Sequence, residues 1–196
     1  MPDPRDFSFA AFIGSRRIAG GPLLEVARAV KSALLAGEDD EILIFDAEAR
    51  PVEVDFRGAI ADVEKSATRA LAVIDVGETR RGPGRPKLGV IPREVTLLPR
   101  HWEWLADQPG GASVALRKLV EEASRDRQGR DKRRRAQEAT YRFLSAMAGD
   151  RPHFEEATRA LFAGDNQRFG ELVATWPPDI ADHAARLGQA AFEERS

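Results

Sequence analysis

Closely spaced cations dominate the chemistry this sequence offers. Arg80, Arg81, Arg85 and Lys87 surround a Gly84-Arg85-Pro86-Lys87 core, Arg93 and Thr96 follow in a short apolar stretch, and Arg117 and Lys118 are adjacent. Arg130, Lys132, Arg133, Arg134 and Arg135 crowd into the six residues 130–135. Guanidinium and ammonium groups at this density suit phosphate oxygens, whose counterions they displace. An extended Gly-Arg-Pro chain is flat and narrow, so it fits the floor of an A/T-rich minor groove, where negative potential is deep. The competing readings are a solvated basic tether and a basic stretch that docks on the chain's own acidic ends.

Other chemistries have little material to work with. The chain has no Cys, which removes disulfides, thiol nucleophiles and thiolate metal sites, and its three His (His101, His153, His183) are few for a metal cage. His153 with Glu156, and Asp179 with Asp182 and His183, bring imidazoles and carboxylates onto helices. They lack the paired Glu and Glu-x-x-His elements of helical metal proteins and read as caps or solvated faces. Gly14-Ser15-Arg16-Arg17 and Gly20-Gly21 precede a helix that could hold an anion, but no Walker lysine or Gly-x-Gly-x-x-Gly is present. Asp46 and Asp55 read as turn aspartates. No catalytic residue, cofactor or metal is expected.

The net charge of −2 conceals a partition. Residues 1–79 carry 9 basic and 15 acidic side chains, residues 80–135 carry 15 and 7, and residues 136–196 carry 6 and 10. A basic middle between acidic ends is where a polyanion is expected to bind. With 42% apolar and 32% charged residues, the composition suits folded modules with broad solvated faces. No apolar run approaches the ~18 residues of a membrane span, and residues 1–6 lack the features of a signal peptide, so a cytoplasmic location without membrane contact is expected.

The elements that must position these cations read as α+β. Phe7, Phe9 and Ala11 alternate before a Gly14-Ser15 turn and residues 16–19, which predicts a hairpin. Pro22, then Leu23, Val26, Val30 and Leu34, then Gly37 mark a helix with its stop. Residues 42–45 read as a buried strand, 52–56 as a half-buried one, 59–69 as a short helix and 71–76 as a further strand. Residues 77–92, with four Gly and three Pro, form a basic linker. Then come a strand at 94–98, a helix opened by Pro99, a turn at 108–111 and a second helix from Ser113. One of Trp102 and Trp104 is expected inward, because residues two apart do not share a helix face. Beyond 125–135 the tail reads as a bundle of short helices: Tyr141, Phe143, Leu144 and Met147 start its apolar face, and Gly149-Asp150 and Gly164-Asp165 each pair a helix end with a capped start. The expected domains are an α+β module at 1–76, the linker at 77–92, a strand-helix-helix segment at 93–126 and a helical module at 127–196.

Three resemblances follow. Gly84-Arg85-Pro86-Lys87, with Arg80 and Arg81 upstream, resembles the AT-hook motif over about eight residues, with Pro83 in place of a flanking cation. Arg93-Glu94-Val95-Thr96-Leu97-Leu98-Pro99, followed by Trp102, Trp104 and Leu105 and by the helix from Ser113, resembles the ribbon-helix-helix family over roughly a fifth of the chain. That likeness implies a dimer whose paired strands enter the major groove, with Arg93 and Thr96 reaching base edges; it departs from the pattern in that neither strand face is cleanly polar. Over nearly its whole length, through GRPKLGVIPREVTLLPRHWEWL, QPGGASVALRKLVEEA, ATYRFLSAMAGD and FEEATRALFAGD, the chain also resembles a bacterial family catalogued only as a domain of unknown function.

The function expected is therefore that of a homodimeric, non-enzymatic protein binding duplex DNA, in transcription regulation or nucleoid organisation. Arg80, Arg81, Arg85 and Lys87 would contact the minor groove, with Arg117, Lys118, Arg130, Lys132, Arg133, Arg134 and Arg135 on phosphates. The alternative is a protein-interaction adaptor whose basic centre meets an acidic partner. The end modules would bind a protein partner or effector.

Overall fold

In the structure, a computed structural model that describes residues 8–78 and 93–192, Gly14 and Ser15 make a two-residue turn with Gly14 at φ 55°. It folds β1 (Phe9–Ile13) antiparallel onto β2 (Arg16–Gly21), with a bulge between Ala11 and Phe12. β3 (Ile42–Asp46) pairs antiparallel with the other edge of β1, giving the order β2-β1-β3.

β1 is the central strand, and all five of its residues are buried. Because a strand alternates its side chains, burial throughout means that both faces of the sheet are covered. Phe9 and Ala11, with Ile44 of β3, face α1 (Leu23–Leu35) and α2 (Ile60–Glu78) in a core built from Leu23, Val26, Ala27, Val30, Val63 and Ala67. Ala10, Phe12 and Phe45 face the other way, onto Phe143, Leu144 and Met147 of α4 (Gly111–Met147) and onto helices later in the chain. Those are α5 (Phe154–Ala163), α6 (Asn166–Val173) and α7 (Pro178–Gly188), followed by a 3-10 turn at Gln189–Ala191.

The first compact unit accordingly joins Met1–Thr79 to Lys132–Ser196. The modules expected at 1–76 and 127–196 are not separate: described residues of 8–76 and of 132–192 share a core, since a sheet apolar on both faces needs a layer on each side.

Several local expectations are met. The hairpin, the helix after Pro22, the strand at 42–46 and the turn at 108–111 are present. Gly164 ends α5 at φ 76° and Asp165 caps α6, accepting a hydrogen bond from Arg168 N at 2.9 Å. Others need correction. Residues 71–76 are helical, not a strand: α2 continues to Glu78, and its inward residues Val63, Ala67, Ala70, Leu71 and Ile74 keep helical spacing. Residues 52–56 form no strand. Val52, Val54 and Phe56 do pack inward, but Val52 N reaches Ile44 O at 2.8 Å and Asp55 N turns instead to Ser66 Oγ at 2.8 Å. Asp150 caps nothing, because α5 starts only at Phe154, after His153 in the left-handed region at φ 67°. Tyr141 lies off the apolar face and is exposed.

The second unit, Arg80–Asp131, contains α3 (Pro99–Ala106) and the start of α4. Among its described side chains only Leu105 and Ala115 are buried. Leu105 takes the inward face of α3, which leaves Trp102 at 43% and Trp104 at 51% exposure, so neither indole is inward. Residues 93–98 form no strand pairing within the described chain.

Candidate nucleic-acid interface

The cations singled out by sequence fall into three groups. Arg80, Arg81, Arg85 and Lys87 lie outside the described residues. In the second unit, Arg93 and Thr96 are exposed on the unpaired segment before α3, and Arg117, Lys118 and Arg130 are exposed on α4. The remaining group, Lys132, Arg133, Arg134 and Arg135, belongs to the first unit and opens its part of α4.

Four consecutive helical residues span slightly more than one turn, so those last cations point to all sides of α4 rather than forming a stripe. Lys132, Arg134 and Arg135 are exposed, whereas Arg133 is half-buried. A Cβ built on Gly164 would lie 4.0 Å from Arg133 Nη2, so this guanidinium sits at the C-terminal end of α5, where the helix dipole favours positive charge. Arg134 Nη1 is 3.8 Å from Glu138 Oε1 one turn on, with both groups exposed. Such an exposed pair contributes little to stability.

The chain matches, over residues 8–188, a family described as an uncharacterized protein conserved in bacteria (DUF2239). The chain belongs to that family. No curated protein and no solved structure matches it. In this DUF2239 chain, no helix among the described residues is long and apolar enough to cross a membrane, and no three His, Asp or Glu among them are grouped to hold a metal ion.

Two groupings in the first unit escaped the sequence reading because their members are far apart in the chain. One is a buried cluster around His183. Its Nδ1 accepts from Arg186 Nη2 at 2.7 Å, which places the ring proton on Nε2. That nitrogen is buried with no hydrogen-bond partner among the described residues, and the imidazole packs on the rings of Phe12 and Phe143, centroid to centroid at 5.3 and 4.6 Å. Burial, reinforced by Arg186 and Arg17, pushes the imidazole down to about 3, so His183 is neutral and serves packing. Nearby, Asp179 accepts from Arg17 N at 2.8 Å and ties α7 to β2. Asp179 and His183 are thus committed to holding elements together, while Asp182 is exposed. Asp46 is likewise a turn aspartate, accepting from Glu48 N at 3.0 Å and Arg50 N at 2.8 Å.

The other grouping is an exposed aromatic pair. Tyr141 of α4 and Phe162 of α5 have ring centroids 5.9 Å apart. Tyr141 stands roughly two turns beyond the Lys132 to Arg135 cations on α4.

Proposed function

We propose that the protein is a cytoplasmic, homodimeric duplex-DNA-binding protein, a binding rather than a catalytic protein, acting in transcription regulation or nucleoid organisation. The observation that carries the reading is the charge partition: 15 basic against 7 acidic side chains in residues 80–135, between two acidic ends. Support comes from the solvent exposure of Arg93, Thr96, Arg117, Lys118, Arg130, Lys132, Arg134 and Arg135, side chains of the types that contact phosphates and base edges. Arg80, Arg81, Arg85 and Lys87 would add minor-groove contacts. The dimer is supported by residues 93–98, whose backbone groups lack a ladder within the described chain and would gain one from a second copy.

A second reading, an adaptor for an acidic protein partner, is favoured by the exposed Trp102, Trp104, Leu119 and Val120, an apolar set of the kind found at protein interfaces. Binding isotherms on A/T-rich and G/C-rich duplexes at several salt concentrations separate the two. DNA binding predicts affinity that falls with salt, with a log-log slope of about 0.9 for each phosphate contact and a preference for the A/T-rich duplex. No retention of either duplex at low salt overturns it in favour of the adaptor.

A further inference from the structure

We propose that residues 116–123 of α4 pair with the same residues of a second copy of the chain, antiparallel across a two-fold axis between Leu119 and Val120. This rests on the homodimer of the reading above and gives it an interface of helix side chains, separate from any pairing of residues 93–98.

The seam is apolar and open. Leu116, Leu119, Val120 and Ala123 recur at intervals of three and four, so they line one side of the helix. Leu116 is half-buried, but Leu119 is 44% and Val120 66% exposed, and Ala123 is exposed as well. The same unit also exposes Val95, Leu98, Trp102 and Trp104. With Leu119 and Val120 these offer up to roughly 600 Å² of apolar surface per copy, of the order of the ~800 Å² that each partner buries in a standard interface.

Charge selects the occupant and its direction. Arg117-Lys118 precede Leu119-Val120 and Glu121-Glu122 follow, so the signs invert about the centre of the seam. Helical spacing puts Arg117 and Glu121 on one flank of the seam and Lys118 and Glu122 on the other, and all four are exposed. In an antiparallel two-fold pair each flank meets its own copy run backwards. Arg117 then lies level with the partner's Glu121 to within about 1.5 Å of rise, as does Lys118 with the partner's Glu122, and symmetry repeats both pairs. A parallel pair would instead set Arg117 against Lys118 and Glu121 against Glu122, like against like. Glu121 Oε1 lies 3.5 Å from Arg125 Nη2 on its own helix, and a carboxylate, with two oxygens, can accept from both guanidiniums. Such rim pairs set register and direction while the apolar seam supplies the burial. In this dimer Arg117 and Lys118 answer glutamates, and phosphate contacts fall to the cations outside the seam.

The test uses the full chain in sedimentation equilibrium, with circular dichroism as the folding control. Arg117→Glu with Lys118→Glu flanks the seam by acids alone, and Glu121→Lys with Glu122→Lys flanks it by bases alone; all four exchanges are between good helix formers at exposed positions. Each double variant by itself should dimerise about tenfold or more weaker than the parent, because like charges then face each other across the axis. An equimolar mixture of the two should dimerise as the parent does, since acidic flanks then meet basic ones; a role confined to one chain gives no such rescue. If both variants dimerise as the parent does, or if mixing restores nothing, the seam is wrong, and a dimeric parent leaves the homodimer reading standing on another surface. If the parent stays monomeric at high concentration, the seam and the homodimer both fall.

Discussion

The first unit buries aromatic and aliphatic side chains on both faces of its sheet, whereas the second, among its described side chains, buries only Leu105 and Ala115. Both are drawn from one chain with similar building blocks, so the difference lies in what each can complete alone. A three-stranded sheet with a helical layer on either side closes its own core. The described part of the second unit, an unpaired segment with a short helix and part of a longer one, leaves most of its apolar side chains exposed.

The largest expected effect tests that contrast on stability. Phe143 is fully buried, with its ring 5.4 Å from Phe12 and 5.3 Å from Phe45, so Phe143→Ala should cost about 3–5 kcal/mol in urea unfolding. Trp104→Ala, at an exposed ring, should change stability by no more than about 0.5 kcal/mol. Comparable losses at the two positions would mean that the second unit has a core of its own in solution.

A pH dependence sharpens the same comparison. His183 takes up a proton in the unfolded chain near 6.5 but in the folded unit only near 3, so the unfolded state binds more protons between those values. The contribution of the neutral ring is therefore whole above about 6.5 and is lost as pH falls toward 3, at about 1.4 kcal/mol per pH unit within that window. Asp55, held down from 3.8 to about 2 by its hydrogen bonds from Arg57, acts only below its ordinary value, so it overlaps the acid end of the His183 window and leaves the range from pH 6.5 to 4 to the imidazole. Denaturation curves of His183→Phe should be flatter than the parent's between pH 6.5 and 4; an unchanged pH dependence would place the titrating group elsewhere.

What could be read from sequence was what is local. The Gly14-Ser15 turn and the Gly164-Asp165 stop and start each depend on a few adjacent residues whose backbone preferences need no distant partner. Residues 71–76 misled because Leu71, Ala72, Val73 and Ile74 are apolar in succession, and periodicity cannot tell a short apolar run in a helix from a strand; packing decides, burying Val63 and Ala67 with Leu71 and Ile74 partly covered and leaving Val73 at 76% exposure. The alternation of Val52, Val54 and Phe56 correctly gave their inward side but not a ladder, which needs a neighbouring strand as well. Of the candidate interface, the cations were legible from their types alone. Their scatter around α4, the engagement of Arg133 at the end of α5 and the meeting of Tyr141 with Phe162 depend on helices brought together by the shared core.

A smaller effect checks one of those local readings. Asp165→Ala removes the side-chain acceptor of Arg168 N and should cost about 1 kcal/mol, with α6 fraying first by amide exchange. No loss would show that water replaces the cap without penalty.

The division of labour itself is tested most directly by hydrogen exchange of the full chain with and without a saturating A/T-rich duplex. Binding through the basic centre predicts slowed exchange across residues 93–135, where few groups are buried in the free chain, with the amides of the sheet and of α5 to α7 unchanged. Protection confined to the sheet or to α5 to α7, with none in 93–135, would place the interface on the scaffold and contradict the account.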